Sequence, residues 1–293
     1  MSAANTANAV KKLVVFGGTG FLGKRIVENA VKRGFDVTSI TGSGRMPRPY
    51  PQEDNSWMEQ VKWKQGDVFF PETYERDLQD CTAVVHSIGI LLENDSYKKI
   101  VGSEDGLINT VSSLFTTNPG TKTTNPMMKT PTDDVTGPNV VIDKTYKRYN
   151  TESALVLAET LIDVNRGDKP PAFAYISADR GFPGLPSGYI QSKREAEYQL
   201  YQLQPRLRPI LLRPGFMYDP SEGTQGHMSM RSSLRTFLDG LNEVNSRLLF
   251  NALDGIVRPT ISTKTVAQWC MDRIEDPDFH GPVMLDEMIN IKK

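Results

Sequence analysis

The sequence predicts an α/β fold, a doubly wound parallel sheet with a smaller C-terminal substrate lobe, and three observations predict it. Short β-branched runs alternate with helical segments along most of the 293 residues, a glycine cluster separates the first run from the first helix, and the alternation stops after Pro214. The strand candidates, in order, are residues 12–16 (KLVVF), 36–40 (DVTSI), 61–64, 83–87 (AVVHS), 173–177 (FAYIS) and 209–213 (PILLR). Between the first two, Leu22, Ile26, Val27, Ala30 and Val31 fall on one helical face. Gly34 follows where a helix C-terminus favours a residue tolerant of positive φ. Residues 1–11 read as a flexible tail, 12–215 as the nucleotide-binding core and 216–293 as the smaller lobe, returning in part to the core. Residues 116–138, dense in Thr, Asn, Pro and Gly without periodicity, are expected to be a mobile insertion, either a plain surface loop or a segment that docks a partner or covers the site. In the lobe, Leu234, Phe237, Leu238, Leu241, Val244 and Leu248 recur at helical spacing, as a face for the core or for a membrane or protein partner.

Composition narrows the function classes. With 34 Lys and Arg against 35 Asp and Glu, the net charge of -1 provides no field to recruit nucleic acid or an anionic membrane surface. Two cysteines, Cys81 and Cys270, and three scattered histidines supply neither a disulfide framework nor a zinc site, so no metal centre is expected. No apolar stretch approaches the ~18 residues of a transmembrane segment. The first ten residues, rich in Ala, Asn and Ser and without acids, lack the apolar core of a secretory signal and the arginines of a full transit peptide, and read as a short flexible tail or a degenerate transit sequence.

The glycine cluster carries the first functional signal. Gly17, Gly18, Thr19, Gly20, Phe21, Leu22 and Gly23 follow the first strand and open the first helix, satisfying both G-x-G-x-x-G and G-x-x-G-x-x-G. Without side chains a backbone can approach a pyrophosphate, and a helix N-terminus offers it N–H groups and positive dipole, which makes this the loop of a Rossmann dinucleotide fold. An NAD site would place an acid at the end of the second strand, roughly 20 residues on. No acid occurs between Asp36 and Glu53; the strand runs into Thr41, Gly42, Ser43, Gly44 and Arg45, with Arg48 beyond. Hydroxyls followed by guanidinium suit a 2′-phosphate, so NADP(H) is expected in preference to NAD(H). Asp67 and Val68, after the third strand, are candidates for the adenine, and Ser87, Ile88 and Gly89, closing the fourth, for the nicotinamide half.

Tyr189 and Lys193 stand four apart at the start of a predicted helix, on one face. A phenol with pKa near 10 is a poor acid-base catalyst at neutral pH, and a neighbouring ammonium favours phenolate. Ser177 closes the strand before that helix.

Together these residues resemble the short-chain dehydrogenase/reductase superfamily, in its extended and atypical branch. The likeness rests on VVFGGTGFLGKRIV, GDV, AVVHSIG, YISA, YIQSKREAE and ILLRPGFMY, which occur in order from Lys12 to about Tyr218. HSIGILLEN, ISADRGFP and the Tyr189 helix are most similar to a mitochondrial branch that includes an NADPH-binding accessory subunit of respiratory complex I and a fungal protein of coenzyme Q biosynthesis. The resemblance implies Tyr189 as proton donor or acceptor, Lys193 on the nicotinamide ribose, Ser177 on the substrate oxygen and Pro214 beside the cofactor. It also implies the matrix face of the inner mitochondrial membrane, protein partners in a complex there, and a quinone-type or isoprenoid substrate. One departure stands out: where the family has a substrate-polarising Ser or Thr, this chain has Ala178 and Asp179, leaving Ser177 as the only hydroxyl. Two functions fit these residues, an NADP-dependent oxidoreductase and a cofactor-binding scaffold without turnover.

Overall fold

The β-branched runs form strands, each within one residue of its predicted bounds. In the computed structural model, residues 11–90, 145–180, 187–223 and 258–289 are described; the tail 1–10, the insertion 116–138 and the stripe 234–248 lie outside the described residues. The strands are β1 (Lys12–Phe16), β2 (Asp36–Thr41), β3 (Lys62–Gln65), β4 (Ala83–His86), β5 (Ala172–Ile176) and β6 (Arg208–Arg213). They pair in parallel in the order β3-β2-β1-β4-β5-β6, and a seventh strand, β9 (Gly281–Met284), adds to β6. This is the Rossmann-like order, with the reversal of chain direction across the sheet at β1. The sequence does not announce β9, because GPVM is four residues long and begins as a turn would. A separate two-stranded ribbon joins β7 (Met217–Tyr218) to β8 (Ile261–Ser262).

Helices cover both faces of the central strands, which is why β1, β4, β5 and the middle of β6 read as nearly continuous apolar runs rather than alternating ones, while edge strand β3 is largely exposed. One face of the sheet, with Leu13, Val15, Val85 and Ile210, packs under α1 (Gly23–Lys32) and α5 (Thr263–Glu275). The other, with Val14, Phe16, Phe173 and Tyr175, packs under α2 (Glu75–Leu78), α3 (Ser153–Val164) and α4 (Ser187–Gln202). Helix α6 (Leu285–Ile289) closes the described chain. The predicted α1 face is buried at Ile26, Val27 and Ala30, and Gly34 has φ +79° as its position requires. Among the described residues no helix is long and apolar enough to cross a membrane.

Candidate functional site

Parallel strands bring all their C-terminal ends to one edge, so the described turns that follow β1, β2, β3, β4 and β5 lie along that edge. Gly17 leaves β1 at φ +81°, and a Cβ there would lie 2.8 Å from the Ser87 carbonyl oxygen. Gly23 and Gly18 are equally enclosed: their Cβ atoms would lie 2.2 Å from the Gly17 carbonyl oxygen and 2.3 Å from Ser39 Oγ. Gly20 differs. It is exposed, and its Cβ would meet only the Gly17 carbonyl oxygen, at 3.1 Å, so the turn is open at Gly20, where a phosphate could approach the backbone. Two backbone hydrogen bonds set that turn, Gly20 N–H to Gly17 O at 2.9 Å and Lys24 N–H to Gly20 O at 3.0 Å.

Beyond β2, Gly44 turns the chain at φ +62° with its N–H on Thr41 Oγ1, 3.1 Å away, and Ser43 Oγ accepts the Arg45 N–H at 3.4 Å. Arg45 is exposed, and its guanidinium has no partner among the described residues. The acids on either side of this turn in sequence are already paired. Asp36 accepts from Lys62 at 2.7 Å. Glu53 accepts from Arg25 and Lys264, and the Arg25 hydrogen bond holds its carboxyl down at about 2. Past β3, Asp67 Oδ1 accepts the Phe69 N–H at 3.0 Å and Val68 is buried. Phe69 lies under the Arg148 guanidinium, 4.2 Å from its ring centre, and edge-on to Tyr149.

The candidate catalytic residues converge on the end of β5. Lys193, 3% exposed, donates from Nζ to the Ile176 carbonyl at 2.8 Å. It lies 5.9 Å from the Tyr189 ring centre, and a Cβ on Gly89 would come within 3.1 Å of its Nζ. The structure thus brings Tyr189, Lys193 and Gly89 together. The electrostatics differ from the expected ammonium-assisted phenol: burial, then Tyr146, pushes Tyr189 up to about 12, and burial pushes Lys193 down to about 7. A Lys193 whose own charge is suppressed by burial does not draw the phenol down.

Ser177 is held elsewhere. Its Oγ accepts from Arg194 Nη1 at 3.1 Å, while Arg194 Nη2 donates to the carbonyls of Ala178 and Asp179 at 2.8 and 3.0 Å. Pro214, buried just past the end of β6, accepts the Asp179 N–H at 2.8 Å.

Two residues that sequence reasoning passed over belong to the site. Asn150 lies in a π-helical turn (Lys147–Glu152) before α3, wholly buried; its side chain pairs with the N–H and carbonyl of Ile90 and donates to Ser192 Oγ at 3.0 Å. Its carbonyl accepts from the Tyr175 hydroxyl at 2.7 Å, so it ties β4, β5 and α4 together under Lys193. The available signal was an Asn-Thr-Glu-Ser run just before an apolar helical stripe. His86, at the end of β4, bonds Ser153 Oγ through Nε2 at 2.9 Å and leaves Nδ1 buried without a partner among the described residues; burial, then Lys193, pushes it down to about 3. No metal-ligand cluster occurs among the described residues. A groove of about 740 Å³ at the opposite, amino-terminal edge of the sheet, lined by Phe35, Pro171, Leu207 and Ile274, holds none of the predicted residues.

Comparison with known proteins agrees on the fold. No family model matches the chain. It is 40% identical over 295 residues to MIOREX complex component 2 of Saccharomyces cerevisiae, covering 96% of this chain and 99% of that one. It is 25% identical over 283 residues to an uncharacterized chloroplastic protein of Arabidopsis thaliana, covering 95% and 76%. Among solved structures, a short-chain dehydrogenase/reductase family oxidoreductase from Burkholderia thailandensis matches with TM-score 0.56 at 12% identity, covering 96% of this chain and 94% of that one. Thermoplasma acidophilum aldohexose dehydrogenase gives 0.55 at 14% identity, covering 94% and 91%. MoeE5, bound to UDP-glucose and NAD, gives 0.51 at 15% identity, covering 95% and 79%.

Proposed function

This chain belongs to the family of the yeast MIOREX complex component 2, built on the short-chain dehydrogenase/reductase fold, and from that premise we propose that it is a mitochondrial NADP(H)-binding protein working within a multiprotein assembly. The observation that carries the cofactor is the pairing of an open Gly20 turn with a second-strand turn in which Arg45 is free of partners among the described residues and the flanking acids are engaged. Gly17–Gly23 would hold the pyrophosphate, Ser43 and Arg45 the 2′-phosphate, Asp67 and Val68 the adenine, and Ser87–Gly89, Lys193 and Pro214 the nicotinamide half. The cofactor when bound supplies a hydride donor or acceptor. Tyr189 then holds the proton of the substrate oxygen, and Lys193 and Asn150 fix the floor beneath it.

Resemblance to the coenzyme Q branch supports a quinone-type or isoprenoid substrate at the matrix face of the inner membrane. A second reading, a scaffold that holds NADPH without turnover, is favoured by one observation: Ser177 is 3% exposed and its Oγ is anchored by Arg194 in the turn after β5, which buries the one hydroxyl available to polarise a substrate oxygen. NADPH should raise the thermal midpoint of the purified protein well beyond NADH, and Arg45→Ala should equalise the two. Equal shifts for the unaltered protein would sink the 2′-phosphate assignment. Tyr189→Phe separates the readings, because it abolishes turnover in an oxidoreductase and leaves quinone levels unchanged in a scaffold.

A further inference from the structure

Arg25 is a long cation two residues beyond the last loop glycine, yet it is 2% exposed. Every nitrogen of its guanidinium is engaged. Nε and Nη2 clasp Asp219 at 2.9 and 2.7 Å, and Nη1 donates to Glu28 at 2.8 Å and Glu53 at 2.7 Å. Nη2 also reaches Glu53 at 3.1 Å and Ser221 Oγ at 2.5 Å. Thr263 Oγ1 donates to Asp219 at 3.2 Å and Lys264 Nζ to Glu53 at 3.0 Å. One buried cation thus joins the helix behind the phosphate loop to the segment after β7 and to the first turn of α5, which are 194 or more residues away in sequence.

The hub also touches the cofactor-selecting turn. Residues 45–51 read Arg-Met-Pro-Arg-Pro-Tyr-Pro, with proline at every second position from 47 to 51. Each proline fixes its own φ and restricts the residue before it to extended conformations. Such a segment is a semi-rigid spacer rising about 3.1 Å per residue. Its far end is Tyr50, whose ring lies between two cations, with Lys24 Nζ and the Arg25 guanidinium carbon each 3.3 Å from its centre. Lys24 Nζ also donates to the Arg48 carbonyl, on the same strut.

We propose that residues 45–50 act as a strut carrying 2′-phosphate occupancy at Arg45 to the Arg25 hub, and through Asp219 and Ser221 to the C-terminal segment, so that NADP(H) binding and the seating of residues 217–223 and the start of α5 are thermodynamically linked. This rests on the NADP(H) reading above and adds a regulation to it. Linkage of this kind is reciprocal and commonly worth fivefold or more in affinity.

Amide hydrogen exchange of the purified full chain, alone and saturated with NADPH or NADH, tests it. NADPH is expected to slow exchange at 217–223 and 263–266 by about fivefold beyond NADH. In Pro47→Gly/Pro49→Gly, where the strut is flexible and the hub intact, NADPH still slows exchange at 17–23 but the remote effect falls toward the NADH level. Asp219→Asn loses the remote effect from the other end. Equal remote protection by both nucleotides, or full remote protection in the proline variant, overturns the linkage while leaving nucleotide binding in place. Absence of protection at 17–23 with either nucleotide overturns the cofactor reading itself, and the linkage with it.

Discussion

His86 shows what burial does to one titratable group. It is wholly buried at the end of β4, and burial, then Lys193, pushes its pKa from 6.5 to about 3. Between those values the unfolded chain binds a proton that the folded chain refuses, so stability falls as pH drops through the interval, with a slope approaching about 1.4 kcal/mol per pH unit. His86→Phe should flatten this acid limb. Its ring fits beside Phe173 and Tyr175, and Ser153 Oγ keeps its hydrogen bond to the Tyr149 carbonyl. Urea unfolding midpoints between pH 4 and 7 check this; an unchanged slope would show that other groups carry the acid sensitivity. At this scale the glycines and Tyr189 with Lys193 were legible, because each is a local pattern with a chemical use. Arg25 was not. An Arg beside a Lys near a helix start reads as surface charge, and its partner Asp219 is 194 positions away.

At the scale of elements, the central strands β1, β4, β5 and β6 hold to within a residue because burial on both faces leaves a nearly unbroken apolar run in the sequence, whereas edge strand β3 (KWKQ) is largely exposed. The joint between β5 and α4 was harder to read. Arg194 lies one residue past Lys193, so the two side chains leave the helix in different directions: Lys193 to the Ile176 carbonyl, Arg194 to Ser177, Ala178 and Asp179. The spacing of Tyr189 and Lys193 was visible, whereas the use of Ser177 depends on a neighbour whose reach no spacing rule encodes. Arg194→Met should destabilise the protein by about 2–3 kcal/mol, since it strands two carbonyls and a hydroxyl that Arg194 satisfied. Denaturant midpoints report this directly. Glu197 loses its Arg194 contact, at 2.7 Å, but retains Arg213, with Nε on Oε1 at 2.9 Å, so its carboxylate keeps a charged partner and the loss falls mainly on the turn after β5. A change under half a kcal/mol would mean that water replaces Arg194 there.

For the whole molecule, the question is whether the chain beyond Pro214 is a lobe in its own right. The described part of it is built into the core. β9 extends the main sheet through Ile210–Gly281 and Leu212–Val283 pairing, and α5 lies against α1. Ten buried hydrophobic residues of one core layer, from Ile261 to Met288, come from this end of the chain. Fully burying a large apolar side chain is worth about 1.5–3 kcal/mol, so even half of these rivals the 5–15 kcal/mol of a typical domain. Truncation after Gly223 should therefore leave a compact chain without fixed packing, keeping far-UV dichroism while losing the near-UV signal and binding a hydrophobic dye. A truncated chain that unfolds cooperatively with native near-UV dichroism would show that the core closes without β9 and α5. It would also remove the far end of the Arg25 network, because Thr263 and Lys264 belong to the deleted segment while Asp219 and Ser221 remain. The same deletion thus asks whether the nucleotide loop and the sheet edge are held by one fold or by two.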